Sequence, residues 1–179
     1  MKRYIALLRA INVSGKNMIP MADLKTGFEE TGYRNVKTLL NSGNVVFDAE
    51  ERPEPVLAEA LSSMIRDRYA LDVPVFVILR EDLRDLLKRA PSWWGADDKA
   101  VYDNLIFLLH GSDAGEIALK IGDPTEGLEK IEICGGAVFW SFLLGRHSKA
   151  NWWKKTAMPG IGEHLTIRTA GTCRKLAGL

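Results

Sequence analysis

Ser42-Gly43-Asn44-Val45-Val46-Phe47 and Cys134-Gly135-Gly136-Ala137-Val138-Phe139 are two versions of one pattern. Each opens on residues that tolerate a positive φ and runs into a short apolar strand, which is the signature of a hairpin. Upstream of the first, residues 2–9 form a nearly continuous apolar strand, the kind buried on both faces. Pro20 suits the first turn of a helix, Met21, Leu24 and Phe28 recur at helical spacing, and Gly32 suits the stop. Residues 35–40 and 44–48 are the hairpin strands around the turn 41–44. Pro53 and Pro55 open a second helix whose stripe is Val56, Leu57, Ala60, Leu61, Met64, Ile65 and Tyr69, and residues 73–79 form a further strand. The order is β-α-β-β-α-β, the split βαβ or ferredoxin-like unit.

Around the second hairpin the order returns. Residues 105–109 read as a strand, and Ser112 or Asp113 caps a helix through Leu119. Strands 129–134 and 137–143 follow, then a helix capped by Ser148 through Lys155, a short strand 165–168, and a last helix capped by Thr169. Residues 81–90 form an amphipathic helix closed by Pro91, and 92–103 read as a linker tethered by Trp93 and Trp94. The expected fold class is α+β: two tandem ferredoxin-like halves over 1–80 and 104–179, joined by a helix and loop over 81–103.

The 179 residues carry 24 Lys+Arg against 23 Asp+Glu, a net charge of +1, and 46% are hydrophobic. Disorder needs low hydrophobicity and high net charge, so a folded chain is expected. The balance argues against nucleic acid and anionic membranes as partners, since both usually select a basic excess. No apolar run approaches the ~20 residues that span a bilayer, and residues 3–8 are too short a run for a secretion signal. Cys134 and Cys173 match no CxxC or zinc spacing and read as reduced thiols, which places the chain in the cytoplasm. His110, His147 and His164 show no metal-binding spacing, and no residue pattern points to a cofactor. His147 stands out within Arg146-His147-Ser148-Lys149, a cationic stretch at an expected helix start.

The first loop is the candidate site. Ala10, Gly15 and Lys16 have the spacing of a phosphate-binding Walker loop, but Ala10 replaces its first Gly and Asn17 its Ser/Thr. A looser anion or polar-ligand site fits better: Arg9, Asn12, Lys16 and Asn17 supply charge and donors next to an expected helix N-terminus. In a ferredoxin-like unit the first and third strands are neighbours. The loop after one and the turn before the other therefore share an end of the sheet, which adds Ser42 and Asn44 to the site. No carboxylate or His stands in either segment, so an enzyme using this site lacks an acid–base pair. An RNA or protein interaction module on the sheet face is the other alternative, with Phe139, Trp140 and Phe142 as stacking rings. Two-faced burial accounts for those rings equally.

Leu7-Leu8-Arg9-Ala10-Ile11-Asn12-Val13-Ser14-Gly15-Lys16-Asn17 with Ile19-Pro20-Met21 resembles the opening signature of the bacterial family known as domain of unknown function 1697. Asn35-Val36-Lys37-Thr38 with Ser42-Gly43-Asn44-Val45-Val46-Phe47 resembles its second signature. Ser148-Lys149 and the pattern Thr166, Arg168, Thr172, Leu176 resemble it more faintly. Ala10 and Ser14 stand where the family usually has Gly, and Thr169-Ala170-Gly171 where it usually has a polar and aromatic Asn-Trp pair. The resemblance implies a compact α+β fold of two ferredoxin-like halves and no particular activity.

Overall fold

The computed structural model describes residues 1–179. Contacts divide the chain into two compact units, Met1–Arg84 with Leu176–Leu179, and Asp85–Lys175. Each unit holds one four-stranded antiparallel sheet.

In the first unit the elements are β1 (Lys2–Leu8), α1 (Met21–Glu30), β2 (Arg34–Leu39), β3 (Asn44–Ala49), α2 (Glu54–Tyr69), β4 (Val75–Leu79) and the start of α3 (Arg80–Lys88). The strand order is β2-β3-β1-β4. β1 is central, with Leu7 opposite Asn44 on one side and Phe76 on the other. One face of the sheet presents Tyr4, Ala6, Leu8, Val45, Phe47 and Val77 to Leu24 and Phe28 of α1 and Leu57, Leu61 and Ile65 of α2. Both helices start at a proline in extended conformation, Pro20 and Pro53, where a missing N–H costs nothing. α2 ends on Ala70 at φ 55, a left-handed cap without the usual glycine. Arg3 bridges strands: its Nε donates to Asp48 Oδ1 at 2.7 Å and its Nη1 to the Leu179 carbonyl at 2.6 Å.

In the second unit β5 (Val101–Leu108), α4 (Ala114–Ile121), β6 (Glu129–Cys134), β7 (Ala137–Leu143), α5 (Asn151–Lys155) and β8 (Leu165–Thr169) precede α6 (Ala170–Gly178), whose last residues return to the first unit. Strand order is β6-β7-β5-β8. The hairpin partners are as expected, β2 with β3 and β6 with β7. Several boundaries differ from expectation, and two of the differences have an identifiable partner behind them. β5 begins at Val101, inside the expected linker, because Asp103 and Asn104 find partners that let them enter a sheet. Asp103 accepts from the Ser141 hydroxyl, and the Asn104 carbonyl accepts from Trp94 Nε1 at 2.7 Å. Ser148 does not cap α5. It lies in a 3-10 stretch, Leu144–Lys149, and the helix begins two residues later.

The cap comes instead from Glu129, which is 6% exposed. Its carboxylate accepts from the backbone N–H of Trp152 at 3.2 Å and Trp153 at 3.1 Å, from Thr125 N–H at 3.0 Å and from Trp140 Nε1 at 3.3 Å. A buried carboxylate survives only when its lone pairs are filled in this way. In return α5 closes α4: Lys155 Nζ and Asn151 Nδ2 donate to the Ile121 carbonyl at 2.6 and 2.9 Å, and Trp152 Nε1 to Gly122 O at 3.0 Å. A cation at a helix C-terminus is favourably placed against the dipole. Asp113 and Thr169 do cap α4 and α6, as expected. Phe139, Trp140 and Phe142 are all buried, at most 2% exposed, so none is available for stacking a base.

Two predictions follow from these polar clusters. Glu129→Ala should cost about 2–4 kcal/mol, because it strands several buried donors together; urea titration followed by tryptophan fluorescence reads this at Trp140 and Trp152 themselves. The second concerns pH. The Arg3 guanidinium holds the Asp48 carboxyl below the ordinary carboxylate range. A depressed folded pKa means the stabilisation is complete above the unfolded value of about 3.9 and is lost as pH falls through the folded one. The stability gap between the native chain and Asp48→Asn should therefore be constant near neutrality and shrink below about pH 4, as measured by denaturant midpoints across that range.

Candidate functional site

β1 ends at Leu8, and the chain then folds into an irregular loop before α1. Ala10, Asn12, Ser14, Gly15 and Asn17 all have positive φ, between 47 and 73°. Lys16 N–H donates to the Val13 carbonyl at 2.9 Å and Asn12 N–H to the Asn17 carbonyl at 3.2 Å. With Ser14 and Gly15 both left-handed, this is a miniature hairpin of the type I′ class. Lys16 is thus on an exposed hairpin arm, five residues before α1, which begins at Met21. The hairpin forms because Gly15 and the two Asn accept the left-handed region cheaply; Ala10 and Ser14 do not. Ala10 and Ser14 are therefore the strained positions of the loop.

What holds the loop is Asn12. Its Nδ2 donates to the Ile19 carbonyl and to the Asn41 carbonyl, both at 2.9 Å, and its Oδ1 accepts from Ile19 N–H at 2.8 Å. Asn17 Nδ2 donates to the Ala10 carbonyl at 3.1 Å. The turn before β3 meets the loop: Leu8 N–H donates to the Gly43 carbonyl at 2.8 Å. Asn44 is wholly buried and donates to Leu39 O and Ser42 Oγ, each at 3.0 Å. The structure thus brings Arg9, Asn12, Lys16, Asn17, Ser42 and Asn44 to one end of the sheet. It divides them into two groups. The amides of Asn12 and Asn44 are engaged in shaping the loop and turn. Lys16 and Ser42 are exposed, while Arg9 and Asn17 are half-buried.

Three apolar side chains at this end went unnoticed in the sequence: Val13, Met18 and Leu40 are 55%, 59% and 57% exposed. Met18 precedes Ile19 and Leu40 precedes Asn41, the two residues that Asn12 binds, so both flank one side chain. The available signal was a charge pattern: segments 9–21 and 37–44 contain Arg9, Lys16 and Lys37 and no Asp or Glu.

Elsewhere the candidate groups serve the fold. Arg168 is pushed down to about 10 and the Cys173 thiol up to about 12, both chiefly by burial. Cys134 and Cys173 are free thiols. His147 donates from Nδ1 to the Leu144 carbonyl and packs its ring on Trp153 at 4.6 Å. His164 Nδ1 bonds Ser112 Oγ at 3.1 Å. A cavity of about 460 Å³ lined by Tyr33, Arg34 and Arg52 lies at the opposite end of the first sheet, beside Met1. No group of His, Cys, Asp and Glu is arranged to hold a metal ion, and no helix is long and apolar enough to cross a membrane.

Two four-stranded antiparallel sheets with helices, and a basic, hydrogen-bonded loop at one sheet end, define the class. The family described as "Protein of unknown function (DUF1697)" matches residues 1–139, a span that includes the whole loop and both hairpin turns, and the chain belongs to that family. Among solved structures, the conserved bacterial protein SP0830 from Streptococcus pneumoniae is 27% identical. It superimposes with a TM-score of 0.84 over 99% of this chain and 97% of that one. No curated protein matches.

Gly43 and Gly15 separate the two demands on this site. A Cβ on Gly43 would lie 2.7 Å from Leu8 Cβ and 3.0 Å from Ile11 Cδ1, while one on Gly15 would meet nothing within 4 Å. Both have positive φ. Gly15→Ala should cost about 1 kcal/mol, the conformational term alone. Gly43→Ala should cost about 2–3 kcal/mol or more, because the turn must also lift off β1. Parallel thermal melts of the two variants give the comparison.

Proposed function

We propose that the first-loop end of the first sheet binds a small anionic or polar ligand, without chemistry of its own. The observation that supports this reading is a basic surface on a pre-shaped backbone. Lys16 stands exposed with no ion pair, on a loop whose left-handed residues are held by Asn12. Strain of this kind is kept where the surrounding structure over-determines it, and it concentrates at ligand clamps. In this reading Arg9, Lys16, Asn17 and Ser42 contact the ligand, and Asn12 and Asn44 fix the shape that receives it. Neither loop segment holds a carboxylate or His to serve as an acid–base pair, which favours binding over catalysis.

We also infer that each unit is a ferredoxin-like half, from the β-α-β-β-α-β order and the strand orders in which β1 and β5 are central. The corresponding division is a first half over 1–80, a connector over 81–103 and a second half over 104–179. Free thiols favour a cytoplasmic setting.

The test is a thermal-shift screen with inorganic phosphate, nucleotides and small carboxylates, followed by Lys16→Ala. A probe at 100 times its Kd adds about 2.7 kcal/mol to stability. Lys16→Ala should leave the unliganded melting temperature nearly unchanged, a cost under ~0.5 kcal/mol, and abolish the shift. A ligand-induced shift that survives Lys16→Ala, or a variant that unfolds, overturns the reading.

A further inference from the structure

We propose that a cavity on the sheet of the second unit binds a small zwitterion, an α-amino acid with an apolar side chain. This site is independent of the loop on the first unit. The cavity has a volume of about 380 Å³, and its lining lies within the second unit. That is the size of small-molecule sites, which run from about 300 to 1,000 Å³ and combine apolar walls with a few placed polar groups.

The sheet register supplies the polar groups. Lys130 on β6 is directly opposite Ser141 on β7, and Ser141 is directly opposite Asp103 on β5. Residues paired across strands project from the same face, so ammonium, hydroxyl and carboxylate form one row across it. Ser141 and Asp103 are 4% and 9% exposed. The Ser141 hydroxyl donates its proton to Asp103 Oδ1. Its oxygen therefore offers the cavity only lone pairs, and it acts as an acceptor there. Lys130 is exposed and forms no ion pair. Asp98 also lines the cavity and is exposed; its Oδ1 accepts from Ala100 N–H at 2.9 Å, and its second carboxylate oxygen makes no hydrogen bond to the chain. The apolar walls include Trp93, Val101, Leu128, Phe142 and Leu143, and Glu129 also lines the cavity with its carboxylate already taken up by four N–H donors.

The lining is thus acidic and accepting on one side, basic on the other, and apolar between. An ammonium group fits between Ser141 and Asp98, with the Trp93 ring available to a cation. A carboxylate fits Lys130. Adjacent strands are about 4.8 Å apart, a span that the two charges of an α-amino acid, joined through one carbon, can bridge. The apolar side chain then rests on Val101, Leu128 and Leu143. A simple anion would meet Asp98 and the Ser141 lone pairs, and a simple amine would leave Lys130 unused.

Calorimetric titration with phenylalanine, phenethylamine and phenylacetate tests this, since the three share a ring and differ only in charge. Phenylalanine should bind most tightly, phenethylamine more weakly and phenylacetate least. Lys130→Met should reduce phenylalanine to the affinity of phenethylamine. Asp98→Asn, which keeps the acceptor for Ala100 N–H, should weaken both amine-bearing probes by about threefold or more. Both side chains are exposed, so circular dichroism should show the fold unchanged. Binding of none of the three probes, phenylacetate binding as tightly as phenylalanine, or phenylalanine binding insensitive to both variants overturns the proposal.

Discussion

A strand buried on both faces must have both of its edges paired, and the first unit is arranged around that requirement. Tyr4, Ile5, Ala6, Leu7 and Leu8 of β1 are each at most 1% exposed. Their backbone N–H and C=O groups have no water to turn to, and an unpaired one would cost as much as a lost hydrogen bond. β3 on one side and β4 on the other supply the partners. Since both neighbours run antiparallel, the turn that enters β3 is carried to the end where β1 leaves. The meeting of the first loop with residues 41–44 is therefore a product of the ladder. In the second unit, β5 sits between β7 and β8 under the same requirement, with Leu105, Ile106, Phe107 and Leu108 buried.

Where the sheets stop, polar side chains take over the work of the ladder. Asn12 ties the hairpin arm to Ile19 and Asn41, and Glu129 ties the start of β6 to α5. Both side chains stitch together segments that lack regular pairing. They differ in charge and depth: the amide is half-buried, while the carboxylate sits in the core with each bond made to an N–H. A polar group in such a place helps only when it is fully bonded, which is why each is surrounded by donors or acceptors drawn from several segments.

The first loop also shows what a left-handed backbone costs where glycine is absent. Ala10 at φ 53 and Ser14 at φ 50 occupy backbone conformations that L-residues adopt at a cost of about 1–2 kcal/mol. The hydrogen bonds of Asn12 and Asn17 hold the loop there regardless. The surface that results is basic and partly apolar, with Lys16 on the arm and Val13, Met18 and Leu40 exposed around it.

Much of this was legible in the residues themselves. Alternation and helical spacing located the strands and helices, and Gly43 and Gly135-Gly136 marked the hairpin turns, because those signals depend on local geometry alone. The common sheet end of Arg9–Asn17 and Ser42–Asn44 followed from strand adjacency. Tertiary structure decided what local patterns cannot carry. Asp103 reads as linker until Ser141, 38 residues away, supplies its partner. Ser148 looked like a cap until Glu129, 23 residues from Trp152, took the role. In each case the deciding group is distant in sequence, and a polar side chain's role is set by which partner reaches it, which only the folded chain determines.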